Sequence, residues 1–172
     1  MKLAKSLDRL GTETAFSVLA EAKKLEAKGK PMIHLGLGQP DFKTPKHIVD
    51  AAKKALDDGH HGYVLSNGIL ECRQAVTRKI KKLYNQDIDP ERIIIMPGGK
   101  PTMSYAIQCF GEPGVEIVHP TPAFPIYESM INFTGAKPVP YDLTEDKDLK
   151  FNPEKILSLI TEKTKLLILI NP

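Results

Sequence analysis

Residues 92–121 read RIIIMPGGKPTMSYAIQCFGEPGVEIVHPT, and this stretch decides the fold. A strand-length apolar run, Ile93 to Met96, ends in Pro97-Gly98-Gly99. A helix-length stretch from Lys100 to Phe110 follows, and then a second apolar run, Val115 to His119. Strand, tight turn, helix and strand make one βαβ unit. The alternation continues downstream. Pro125 to Phe133 predicts a helix stopped at Gly135, and Lys137 to Leu143 a third strand. Asn152-Pro153 caps a short helix through Ile160, and Leu166 to Ile170 is a fourth strand. Alternating units of this kind predict an α/β fold with parallel strands, right-handed crossovers and helices on both sides of the sheet.

Upstream the period is helical. Thr14 to Lys28 carries Ala15, Phe16, Val18, Leu19, Ala22 and Leu25 at helical spacing, and Gly29 stops it. The short apolar stretch Met32 to Leu37 runs into a Gly- and Pro-containing loop, Gly38 to Phe42. Thr44-Pro45 reads as N-cap and first helical residue, with Ile48, Val49, Ala51, Ala52, Ala55 and Leu56 on one side of the helix behind it. After a polar loop, His60 to Gly68, another helix has Leu70, Ala75, Val76, Ile80, Leu83 and Tyr84 as its inner face.

Composition bounds the function. The 172 residues hold 24 Lys+Arg against 21 Asp+Glu, a net charge of +3, with 41% hydrophobic and 26% charged residues. That balance belongs to a globular protein and excludes disorder and fibrous repeats. No run approaches the ~20 apolar residues of a membrane-spanning helix. The first ten residues lack a signal peptide's apolar block, so a cytoplasmic protein with no membrane partner is expected. Cys72 and Cys109 show neither metal spacing nor a disulfide framework and read as buried thiols. Lys79, Lys81 and Lys82 read as a solvated helix face, not a nucleic-acid surface. His60 and His61 have no carboxylate or thiol at ligand spacing, so no metal site is expected. The apolar strand Leu166 to Ile170 comes right at the end of the sequence, before Asn171-Pro172. A buried strand needs neighbours on both sides, so a truncated protein is expected.

Three places could carry chemistry. At Gly98-Gly99-Lys100 the backbone can approach a ligand, and the helix start behind it presents N–H groups suited to a phosphate. The same residues also fit an ordinary strand-to-helix turn, and they match neither a Walker A loop nor Gly-x-Gly-x-x-Gly. His119-Pro-Thr-Pro-Ala-Phe124 is a stiff loop at a strand end, where Phe124 either stacks on a planar ring or fills the core under the loop. Tyr63 offers a phenol from the polar loop.

Taken in order, five motifs carry a resemblance: Gly38-Gln-Pro-Asp-Phe-x-Thr-Pro45, Gly62-Tyr63-x-x-x-x-Gly68, Gly98-Gly-Lys100, Pro120-x-Pro-x-Phe124 and Asn171-Pro172. The chain resembles the class I/II aminotransferases, pyridoxal-phosphate (PLP) enzymes of the aspartate aminotransferase fold, over its whole length but over less than half of such an enzyme. The resemblance implies that residues 1–43 form an N-terminal arm and part of a small domain, and residues 44–172 the N-terminal half of the PLP-binding domain. It implies that Gly98, Gly99 and Lys100 hold the PLP phosphate, through the backbone N–H groups of Gly99 and Lys100, and that Phe124 stacks on the pyridine ring. Pro101 departs from the usual residue there, harmlessly if the two residues before it make the bonds. Tyr63 would reach the phosphate in the other subunit of a homodimer, and Gly38 would lie beside the substrate carboxylate.

The lysine that binds PLP covalently, the Asp at the ring nitrogen, the ring-side Asn and the carboxylate-binding Arg have no counterpart here. No catalytic residue is therefore assigned, and the 172-residue chain alone is expected to be inactive. The implied activity of the parent protein is transfer of an amino group from an amino acid to a 2-oxo acid. Alternatives are a C–S β-lyase, an aminocyclopropane-carboxylate-synthase-like enzyme, or a short module that only binds a phosphorylated ligand. The resemblance also implies a sheet with the third strand beside the second, the second beside the fourth, and the first separated from them by a gap.

Overall fold

The computed structural model describes residues 2–11, 14–143 and 151–170. The chain divides into two compact units, Leu37–Pro97 and the rest, Met1–Gly36 with Gly98–Pro172. The motif residues Asn171 and Pro172 lie outside the described residues.

The larger unit holds the sheet. Its elements are α1 (Thr14–Glu26), α4 (Gly99–Phe110), β1 (Glu116–Thr121), α5 (Ile126–Thr134), β2 (Lys137–Asp142), α6 (Pro153–Leu159) and β3 (Thr164–Leu167). All three strands are parallel, in the order β2-β1-β3. That is the expected neighbourhood of the second, third and fourth apolar runs. Ile107 of α4 and Ile131 of α5 pack with Ile117 on one face of the sheet. Val118, Tyr141 and Ile156 of α6 form the core on the other. Helices therefore cover both faces, as the alternation requires.

The two edges of the sheet differ. Lys137 N–H donates to the Val115 carbonyl and Leu143 N–H to that of Thr121, so the odd residues of β2 face β1. Pro138 and Pro140 then occupy the outward positions, where a missing N–H costs no ladder bond. β3 carries no proline, and its outer edge is Thr164–Leu167.

An N-terminal 3₁₀ turn, Lys5–Arg9, belongs to the same unit. The Arg9 guanidinium donates to the Asn132 and Phe133 carbonyls, each at 2.8 Å, and so caps the end of α5. The Ser129 hydroxyl donates to the Gly11 carbonyl at 3.1 Å.

The smaller unit contains α2 (Lys46–Asp57), α3 (Leu70–Tyr84) and a 3₁₀ turn, Pro90–Arg92. Here the sequence reading needs correction. Pro45, not Thr44, stands at the N-cap of α2, and no residue of α2 is buried. The one buried residue of α3 is Arg73, whereas Leu70, Leu83 and Tyr84 are exposed. Apolar periodicity finds a face that could be buried but not whether anything covers it. Ile93 to Met96, expected as a strand, is extended without a ladder partner among the described residues; Ile95 N–H donates to the Asn67 carbonyl at 3.1 Å. A first run without a ladder partner is what the resemblance implied. The thiols also differ from expectation: Cys72 is half-buried and Cys109 exposed. Lys79, Lys81 and Lys82 are solvated as expected, and Lys81 pairs with Asp87 at 2.6 Å. No helix among the described residues is long and apolar enough to cross a membrane.

Candidate functional site

The Gly98-Gly99 turn delivers the chain into α4. Gly98 has φ +100°, a left-handed conformation that glycine adopts without Cβ strain, and α4 starts at Gly99 with no side-chain cap. The Thr102 hydroxyl donates to the Gly98 carbonyl at 3.3 Å, which fixes the turn from inside the helix. Pro101 falls in the first turn, where an N–H has no intrahelical acceptor in any case. The helix start therefore offers backbone donors and the positive end of its dipole, and its N-cap residue, Gly98, brings no capping side chain.

Phe124 belongs to the same unit, at the end of the loop that follows β1. Its ring is 36% exposed, so it does not fill the core. The Lys100 ammonium lies 5.5 Å from the Phe124 ring centroid and 5.3 Å from that of Phe16, in α1. An ammonium at that distance from a ring face is held by the ring quadrupole, by about 0.5–1 kcal/mol where exposed. Lys100 thus joins the glycine turn to the proline-rich loop, and three of the sequence-selected residues, Gly99, Lys100 and Phe124, come together. Phe16, which the sequence placed only in a helically spaced apolar pattern, is a fourth participant.

Behind the loop lies a cavity of about 230 Å³ lined by His119, Pro120, Thr121, Phe124 and Glu128, among others. His119 is 4% exposed, and its Nδ1 stands 3.1 Å from the Pro120 carbonyl. A carbonyl only accepts, so Nδ1 carries the proton and Nε2 is left as a buried acceptor, with no partner among the described residues. Burial pushes the imidazole pKa below its ordinary value, and the bond to Pro120 and the charge of Glu128 only partly oppose it.

Gly38 and Tyr63 belong to the smaller unit. A Cβ at Gly38 would meet nothing within 4 Å and its φ is not left-handed, so neither crowding inside the chain nor backbone strain accounts for glycine there. The Tyr63 ring is fully exposed. Among the described residues no three His, Cys, Asp or Glu side chains cluster as metal ligands.

Against known families, residues 30–172 match the model described as aminotransferase class I and II. The chain is 36% identical over 172 residues to an aspartate aminotransferase of Bacillus subtilis, covering 100% of this chain and 44% of that one. It is 38% identical over 170 residues to the (5-formylfuran-3-yl)methyl phosphate transaminase of Methanocaldococcus jannaschii, covering 99% and 44%. Among solved structures, the aspartate aminotransferase from Thermus thermophilus with maleate superposes with a TM-score of 0.91 at 29% identity, covering 98% of this chain and 44% of that one. The chain thus spans less than half the length of the relatives it matches.

Proposed function

The chain belongs to the class I and II aminotransferases, and from that premise we propose that the whole protein transfers an amino group between an amino acid and a 2-oxo acid with pyridoxal phosphate as cofactor. One observation carries the reading. An uncapped, glycine-entered helix start and a part-exposed aromatic ring lie on either side of one lysine, in a single unit. That donor set suits a group with a phosphate at one end and a flat ring at the other. The relatives named above are transaminases, which favours amino-group transfer over the lyase and synthase chemistries.

In this reading Gly99 and Lys100 donate their backbone N–H groups to the phosphate, with the α4 dipole behind them. Gly98 leaves the space that lets the backbone approach, and Phe124 lies against one face of the ring. When bound, pyridoxal phosphate supplies the electron sink that lets a bond at the amino acid Cα break. The chain's own part is to fix where the ring lies and which face is open. Gly38 leaves room beside the substrate carboxylate. Tyr63 reaches the phosphate held by a second copy of the chain in a cytoplasmic homodimer. Residues 1–43 serve as the arm and part of the small domain, and residues 44–172 as half of the cofactor domain. The lysine that bonds the cofactor belongs to the part of the relatives this chain does not span.

Two measurements test this. The complete protein should bind pyridoxal phosphate far more tightly than pyridoxal, and Gly98→Val should abolish that preference; equal affinity for the two would sink the reading. The 172-residue chain mixed with pyridoxal phosphate and borohydride should give no single-site lysine adduct. One stoichiometric adduct would show that the reacting lysine is in this half.

A further inference from the structure

β1 ends in an unusual way for a central strand: Pro120 stands inside it. Val118 is paired with Leu167 of β3, and the Ile168 N–H donates to the Val118 carbonyl at 2.9 Å. The bonds of a parallel ladder are evenly spaced, so the next one would run from the N–H of residue 120 to the Ile168 carbonyl. Proline has no N–H to give. The β1–β3 pairing accordingly ends at Val118, whereas β1–β2 pairing continues through Thr121.

The abandoned carbonyl is not left bare. The Tyr141 hydroxyl donates to the Ile168 carbonyl at 3.0 Å, reaching over from β2 on the far side of β1. Tyr141 itself is 2% exposed, opposite Pro120 in the β1–β2 register, with Phe151 edge-on at 6.5 Å. A valine or isoleucine would fill the same core, but neither carries a donor. We propose that Tyr141 is a positioning residue of the cofactor crevice: its hydroxyl replaces the donor that Pro120 lacks and fixes the carboxyl end of β3 next to the Pro120–Phe124 loop. Pro120 lets β1 and β3 part where the loop to Phe124 begins, and Tyr141 holds the parted strand end in one place. The assignment of the crevice rests on the function proposed above; the replacement of one donor by the other does not.

The test is a double-substitution cycle in the complete protein, read by amide hydrogen exchange over residues 167–170 and by pyridoxal phosphate affinity. Tyr141→Phe keeps the ring and its contact with Phe151 and removes only the donor. It should speed exchange there and weaken cofactor binding about five-fold, the size of one net hydrogen bond. Pro120→Ala restores a backbone N–H, so adding Tyr141→Phe to it should cost less than about two-fold in either readout. Equal effects of Tyr141→Phe in the two backgrounds would overturn the replacement. Faster exchange with unchanged affinity would overturn the positioning role. If the unsubstituted protein binds no cofactor, the proposed function fails and the exchange cycle alone decides the hydroxyl's role.

Discussion

Arg73 is 2% exposed, and its guanidinium is spent on three acceptors: the Gly68 and Pro90 carbonyls at 3.2 and 3.0 Å and the Glu91 carboxylate at 2.7 Å. It ties the start of α3 to the turn that follows it. Arg73→Met keeps the apolar stem but strands the two carbonyls, and should cost about 1–3 kcal/mol for each in urea unfolding of the complete protein. Glu91→Gln should cost under about 1 kcal/mol, because that carboxylate is mostly solvated. Helical periodicity hid Arg73, since it assigns any charge to the solvent face. His119 was hidden differently: it reads as one residue of an apolar strand, and only packing shows that its Nε2 is buried. Its lowered pKa has a definite sign. The unfolded chain takes up a proton near the ordinary value of 6.5 and the folded chain at lower pH, so stability is full above about 6.5 and falls as pH drops toward the depressed value. Urea midpoints at pH 7.5 and 5.5 should differ in that direction, and His119→Leu should shrink the difference. Glycine and proline, by contrast, carry fixed backbone meanings, and so Gly98, Gly99 and the loop holding Phe124 were legible from sequence.

At the scale of elements, the short helix α6 follows its sequence signal closely. Asn152 Oδ1 accepts from the Glu154 and Lys155 N–H groups at 2.9 and 3.3 Å, with Pro153 at the first helical position. Asn152→Ala should lower stability by about 1 kcal/mol, visible as a lower thermal midpoint. The start of α4 is the opposite case, a helix end left without such a cap. Gly98→Ala would place a Cβ on a left-handed backbone at a cost of about 1–2 kcal/mol, and both stability and phosphate affinity should fall together. The parallel units were readable because strand and helix periods alternate so regularly, whereas the order of the strands in the sheet came from the family resemblance. Ile93 to Met96 was readable as extended from its apolar run, and its lack of a ladder partner among the described residues agrees with the gap that the family resemblance implied, which local sequence alone does not describe.

Across the whole chain, the exposed apolar side chains fall where the fold is least covered. Ile48 and Leu56 on α2 and Leu167 and Leu169 at the end of the sheet are all exposed. The 172-residue chain on its own should therefore self-associate with rising concentration in sedimentation velocity, and Leu169→Lys should reduce that association. Monomer throughout the concentration series would count against it. The bare apolar edge at Leu166 to Ile170 was expected, but the exposure on α2 was not legible: an apolar pattern states what could be buried, and only the folded neighbours decide what is. The two edges of the sheet assign a direction to growth. With Pro138 and Pro140 facing outward, the β2 margin offers a newcomer few donors, while the β3 margin keeps its full set. Any polypeptide that completes this sheet, whether synthesised in the same chain or supplied as a separate complementing fragment, has one side on which to add.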